Sequence, residues 1–397
     1  MNNSPKLFII ISNLDISIIT GYDDNQNSFK LLEKLILPNQ DIIKNRITNL
    51  EKITNIIKKN ILIIEEKVGY TFKNIIVILD NFEISFLNLS GYKKLNGSQI
   101  SKENIFYILN SLKSCVDEFE KNKKILHIFN SEYRLDKDKI DNLPIGLFGN
   151  FYSHGLSFNL INNNHYNNLE NIFKNCNLKV KKYFIQSYLE GSFLSNKDTS
   201  IKSFFYIQVQ KFNCKVFLFE NDVLKFEQRF NFGSDIVYKD ISKVTSLNIE
   251  IIKKFMNNNK SGSKISSSEI IEKEYFNDQI YRRIKKELIF KIAEARIKEL
   301  SGLILIKNIN FQNSINKIDK IFLEISDKQQ LESLSDLYEN YFSNGNKSYL
   351  DIIDKIDCEK IIETAYSISQ FGWKNEVIPV TNNPKSLISK IFKALFH

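Results

Sequence analysis

Apolar and polar positions sort the first eighty residues into strand, strand, helix and strand. Residues 7–11 and 16–20 are short apolar runs on either side of Ser12-Asn13-Leu14-Asp15, the pattern of a β-hairpin. Over 51–68 the apolar positions recur at helical spacing, and 74–79 (NIIVIL) is apolar after its first residue, as a strand covered on both faces would be. The stretch 81–161 mixes strand runs with a helix over 102–120 and a strand at 125–130. Three further runs, 204–210, 215–219 and 224–230, form a second β-meander, so the opening theme recurs. A polar low-complexity loop at 257–268 (NNNKSGSKISSS) precedes a long charged helix at 281–300. The repetition predicts two related α/β halves facing a cleft.

The segment 385–397 (KSLISKIFKALFH) sorts most cleanly of all. At about 100° per residue, Leu387, Ile388, Ile391, Phe392, Leu395 and Phe396 fill one semicircle, while Ser386, Ser389, Lys390 and Lys393 fill the other. The preceding 378–384 (IPVTNNP) carries two prolines and two asparagines and reads as a polar tether. The helix is either docked on the core or laid flat in the headgroup layer of a membrane.

A length of 397 residues exceeds one compact core and implies two or more domains. No apolar run approaches the roughly 20 residues that span a bilayer, and 7–11 is too short for a secretory signal. Cys115, Cys176, Cys214 and Cys358 are far apart and form no C-x-x-C pair, which predicts neither a metal site nor a disulfide framework, and a reducing cytoplasm. The net charge is +9, yet arginine occurs only at 46, 134, 229, 282, 283 and 296. Base and phosphate readout favours the planar fork of arginine, so nucleic acid is not the expected partner, and a positive surface near anionic lipid explains the charge.

One internal stretch carries a resemblance. Ile125-Leu126-His127, Glu132-Tyr133, Leu135-Asp136 and Pro144-Ile145-Gly146-Leu147 with Gly149 match, at the same spacing, a run of the bacterial cell-division protein FtsA, a membrane-bound relative of actin. Gly233-Ser234 stands where that family has Gly-Gly, Ala365-Tyr366-Ser367 resembles its late Ala-rich helix, and the amphipathic segment sits where it places a membrane anchor. The resemblance implies an actin-like α/β fold with an inserted α+β subdomain. It divides the chain into a first half (1–80 and 162–200), the inserted subdomain used for polymerisation (81–161), a second half (201–250 and 301–375), a small FtsZ-binding subdomain (251–300), a linker (376–384) and the membrane-targeting helix (385–397).

Actin-like proteins hold ATP with glycine-rich hairpins whose amides approach the phosphates, and with carboxylates that order the metal. The family's first hairpin falls on residues 10–15, where its acid becomes Ile10 and its glycine Ser12, followed by Asn13. The second falls on 208–215, where Gln208, Gln210 and Asn213 occupy a stretch without glycine or acid. The third lies near Glu324-Ile325-Ser326-Asp327, again without glycine. A degenerate nucleotide site near Ile10, Ser12, Asn13, Gln208, Gln210, Asn213, Gly233 and Ser234 is expected, no bound cofactor or metal, and no ATP hydrolysis. His127, His154, His165 and His397 are given no catalytic role.

The resemblance further implies partners. Half of the arginines fall within 281–300, and the family's FtsZ-gripping positions match Arg282, Lys286 and Arg296. Membrane contact falls to Leu387, Ile388, Lys390, Ile391, Phe392, Lys393, Leu395 and Phe396. The expectation is a protein at the cytoplasmic side of the plasma membrane that binds the FtsZ C-terminal peptide and anionic lipid, self-associates into polymers, and meets other division proteins. A pilus-assembly platform and an active ATPase or sugar kinase of the same fold are the alternatives.

Overall fold

The computed structural model describes residues 4–24, 29–43, 46–261, 268–276, 280–343, 345, 349–372 and 375–377. Two compact units form: Met1–Lys197 with Asn221–Lys225 and Ile356–His397, and Asp198–Glu220 with Phe226–Lys355.

Unit 1 opens on the expected hairpin. Strands β1 (Lys6–Ile11) and β2 (Asp15–Asp23) pair antiparallel, and β3 (Phe29–Pro38) completes a meander beside β2. A short hairpin of β4 (Ile42–Ile43) and β5 (Arg46–Ile47) leads into α1 (Leu50–Val68). Asn49 caps α1 by accepting the Lys52 amide, and Gly69 ends it at φ +66°, a left-handed conformation that a β-carbon would penalise. The buried Ile53, Ile57, Ile61 and Ile64 lie on one face of the helix. Strand β6 (Asn74–Leu79) runs parallel to β1 and is buried after its first residue, which is why its sequence is an unbroken apolar run.

The chain leaves this sheet after β6 and makes a separate antiparallel one. Strand β7 (Ile84–Lys94), helix α2 (Lys102–Phe119), and strands β8 (Lys123–Leu135), β9 (Asp138–Ile140) and β10 (Phe151–Asn162) give a sheet of order β7-β10-β8-β9. The residues that resemble the FtsA run shape its turns. Asp136, at φ +56°, accepts the amides of Asn150 and Phe151, both at 2.8 Å, and Gly146 takes φ +86°. Helix α3 (Asn163–Asn175) then leads to β11 (Lys179–Ile185), which pairs parallel with β6, and α4 (Gln186–Lys197) follows. The first sheet therefore has the order β11-β6-β1-β2-β3.

Unit 2 repeats that order. The meander β12 (Phe204–Val209), β13 (Cys214–Glu220) and β14 (Val223–Phe230) is followed by α5 (Asp235–Thr245), α6 (Ile249–Asn258) and α7 (Lys286–Ser301). Strand β15 (Lys320–Ile325), helix α8 (Lys328–Phe342) and strand β16 (Leu350–Ile353) complete a sheet of order β14-β13-β12-β15-β16. In both sheets a three-stranded meander lies beside two parallel strands added to its first strand. Helix α9 (Cys358–Phe371) belongs to unit 1, where the Tyr366 and Phe29 rings lie 5.4 Å apart.

Three expectations need correction. Helix α9 falls in unit 1, not in the second half expected over 301–375. The charged helix expected over 281–300 begins only at Lys286: the Ile271 amide donates to Ile284 O at 2.9 Å and the Lys286 amide to Glu269 O at 3.0 Å, so the residues just before the helix pair as extended chain. The linker expected over 376–384 starts with two buried residues, Glu376 and Val377, docked on β8. Residues 378–397 lie outside the described residues. Among the described residues no helix is long and apolar enough to cross a membrane.

Candidate functional site

The first hairpin closes on itself. Ile10 is buried inside β1, and the turn is tied by Ser12, whose hydroxyl accepts the amides of Leu14 (3.1 Å) and Asp15 (2.9 Å) and donates to Asp15 O (3.0 Å). Amides that a phosphate-binding turn would offer to a ligand are thereby satisfied from within the turn. Asn39 adds a further tie, donating its side-chain amide to Ser12 O at 2.9 Å, and Asn13 lies between these contacts in the turn.

The second hairpin, in unit 2, is closed from outside. Gln210 donates its amide to Asn213 O at 2.9 Å across the turn. The first amides of α5 then reach the turn's carbonyls, Ser234 to Gln210 O at 2.9 Å and Asp235 to Lys211 O at 3.0 Å. Gly233 makes this approach possible: a β-carbon there would fall 2.7 Å from Asn213 N and Lys211 C and closer still to Gln210 O. The α5 N-terminus, which would otherwise attract an anion, spends two amides on this turn. Lys211 and Phe212 stand on the turn, the ammonium 4.8 Å from the centre of an exposed Phe212 ring.

Gln208 is buried in β12 and donates to the Tyr206 hydroxyl at 2.7 Å and to Glu324 at 3.3 Å; Tyr206 in turn donates to Glu324 at 2.5 Å. Glu324 was expected in the third loop, but it lies inside β15 in register with Gln208, so one buried carboxylate does stand beside the second hairpin. A glycine-free loop gave no sign that its first residue was strand. The loop proper begins at Ser326, and Asp327 caps α8 by accepting the Gln330 amide at 3.0 Å. Gln330 links this cap to α5, donating to Ser234 O at 2.8 Å while accepting from Tyr338 at 2.7 Å. Gln330, Tyr338 and Tyr206 escaped sequence reasoning because nothing in their spacing marks them. Among the described residues no three His, Cys, Asp or Glu side chains converge as a metal site.

The three basic positions are held differently. Lys286 is buried and paired with Glu272 and, at 3.6 Å, Glu269; the Glu272 hydrogen bond raises its pKa above the usual lysine range. Arg296 pairs with Asp240 and, at 2.8 Å, with Glu299. Arg282 is exposed and lies before α7, not on it. Ten residues along a helix turn a side chain by about 80° net and rise about 15 Å, so Lys286 and Arg296 stand nearly three turns apart. The membrane-contact residues Leu387 to Phe396 lie outside the described residues.

The histidines of the inserted subdomain are buried and partnered. His154 Nε2 lies 2.8 Å from Asn130 Oδ1 and its Nδ1 3.2 Å from the Tyr152 hydroxyl, and burial drives its pKa down to about 3. His127 stacks near Phe129 and Phe184, and burial lowers its pKa too. Both are neutral at physiological pH.

No protein-family model matches the chain, and no curated protein matches it either. Solved structures do. The chain is similar to a structure of the PilM–PilN type IV pilus biogenesis complex, with TM-score 0.51 and 9% identity over 92% of this chain and 95% of that one. It is also similar to ethanolamine utilization protein EutJ from Carboxydothermus hydrogenoformans, with TM-score 0.41 and 7% identity over 93% and 90% of the two chains. MreB 5 of Spiroplasma citri bound to AMPPNP gives TM-score 0.41 and 10% identity over 93% and 96%. The first of these likenesses, with the strand order repeated in both units, gives the chain its fold: actin-like α/β.

Proposed function

We propose that this chain is a divergent FtsA-like tether that holds FtsZ filaments at the inner face of the cytoplasmic membrane during division, without hydrolysing ATP. The observation that carries the tether is the sorting of 385–397 into an apolar arc and a lysine arc, behind a colinear FtsA-like run at 125–149. The two hairpins support the absence of hydrolysis: one spends its amides on Ser12, the other is occupied by the start of α5. Arg282 offers an exposed charge to the FtsZ peptide. Lys286 and Arg296 join only if peptide carboxylates replace Glu272 and Asp240.

Lys385, Lys390 and Lys393 near acidic headgroups contribute about 1 kcal/mol each, so a single chain binds weakly and a polymer of chains binds firmly. Flotation with phosphatidylglycerol-rich vesicles tests this. The full chain floats in a salt-sensitive way, and a chain ending at Lys385 stays soluble and unbound. Equal flotation of both, or unfolding of the shortened chain, would return the segment to the core. The likeness to the PilM–PilN complex favours a second reading, a membrane-platform component that grips another protein's cytoplasmic tail. Titration with the FtsZ C-terminal peptide separates the two, since only the first requires binding that charge reversal at Arg282 weakens.

A further inference from the structure

Beyond α9 the chain comes back to the inserted sheet. Asn375–Val377 lies along the open edge of β8 as a short antiparallel strand: the Asn130 amide donates to Asn375 O at 2.7 Å, the Val377 amide donates to Ile128 O at 2.7 Å, and Glu376 faces Phe129. Alternation then sends its side chains to opposite faces. Val377 is buried in the apolar cluster of Ile105, Leu109, Ile128 and Phe158. Glu376 is 1% exposed on the other face, where one carboxylate oxygen accepts from Lys182 Nζ at 2.5 Å and from His127 Nδ1 at 2.9 Å.

The charges assign themselves. Burial works to raise the pKa of Glu376, but Lys182 and His127 together hold it below the usual carboxylate range, and burial keeps His127 neutral. His127 therefore carries its proton on Nδ1 and donates that N–H in a hydrogen bond to the ionised Glu376, whose countercharge is Lys182.

We infer that Asn375–Val377 is a releasable latch on the β8 edge, keyed by the Glu376 carboxylate to Lys182 and His127, that covers and uncovers that edge. The key is two-sided. A slip of one residue would place an apolar or amide side chain against the buried ammonium and drive the carboxylate into the α2 cluster, so only this register closes. The latch is also small: two main-chain hydrogen bonds, the Asn130 side-chain amide to Asn375 O at 3.4 Å, the Asn375 side-chain amide to Asn221 O at 2.6 Å and one valine oppose the ordering of three residues, while a buried ion pair returns little beyond its own desolvation. Opening bares the β8 edge.

Amide hydrogen exchange on the full chain tests it. In the native protein the Asn130 and Val377 amides exchange about a hundredfold faster than those of β1, because the latch opens without global unfolding. Glu376→Gln leaves Lys182 charged and unpaired, and exchange at those two amides rises about a further hundredfold while β1 is unchanged. Adding Lys182→Met to Glu376→Gln removes the orphaned charge and keeps the His127 hydrogen bond, so exchange returns to within about tenfold of the native rate. Four results overturn the latch: native exchange at Asn130 and Val377 as slow as in β1, no response to Glu376→Gln, a response shared equally by β1, or a double variant as open as Glu376→Gln alone.

Discussion

The turns β1–β2 and β12–β13 occupy the same place in two sheets of the same strand order, yet they are closed by opposite means. In unit 1 the hydroxyl of Ser12 reaches the amides two and three residues ahead, a bond set entirely within the turn. In unit 2 the turn gives up its carbonyls to Ser234 and Asp235, more than twenty residues away, and depends on Gly233 having no side chain. One turn is closed by local chemistry, the other by a neighbouring helix. The two are accordingly sensitive to different substitutions, and the difference can be measured.

The largest effect falls on the turn closed at a distance. Gly233→Ala places a methyl group against backbone that cannot move without parting α5 from the hairpin, so urea denaturation shows a loss of about 3 kcal/mol from unit 2. A loss below about 1 kcal/mol means the helix approach is loose.

Acid separates the units next. All four histidines fall in unit 1, with His127 and His154 buried in it, and unit 2 has none. Their folded pKa values lie below the unfolded 6.5, so the unfolded chain binds more protons, and their stability contribution is intact above pH 6.5 and lost as pH falls towards the folded value, about 3 for His154. Lowering the pH from 7 to 5 costs unit 1 about 2 kcal/mol through His154 alone. His154→Gln flattens that slope; an unchanged slope assigns the acid sensitivity elsewhere.

Ser12→Ala is milder. It strips a two-amide acceptor from a turn that water can reach, for about 1 kcal/mol. Restoring glycine with Ser12→Gly frees the same amides, yet Ile10 and the glycine-free second turn remain, so isothermal titration detects no ATP binding. Measured binding would show that Ser12 alone closed the site.

The smallest effect is Arg282→Glu, which shifts stability by no more than about 0.5 kcal/mol because this exposed arginine precedes the helix. Arg296→Glu, facing Asp240 and Glu299, costs more. The contrast separates a charge kept for a partner from one spent inside the fold, and thermal denaturation of the two variants reads it.

Where a segment's structure follows from its own side chains, sequence reading succeeded. Strands β1, β6 and β12, the helices α1 and α2 and the second meander all declare themselves by apolar period. Reading failed where the answer lies with a distant partner. Residues 281–285 were expected to be helix but 284–286 pair with 269–271, Glu324 looks like loop but is held by Gln208 and Tyr206, and Glu376 looks like tether but meets Lys182.

The sequence by itself determined the duplicated α/β order, because periodicity is a property of short stretches. Only the tertiary structure decided that the first amides of α5 occupy the second hairpin, that Lys286 and Arg296 are committed to acids of their own unit, and that Glu376 is buried against Lys182 and His127. Each of these joins residues that only folding brings together. A buried charge or amide takes its meaning from the group that satisfies it, which no local pattern names.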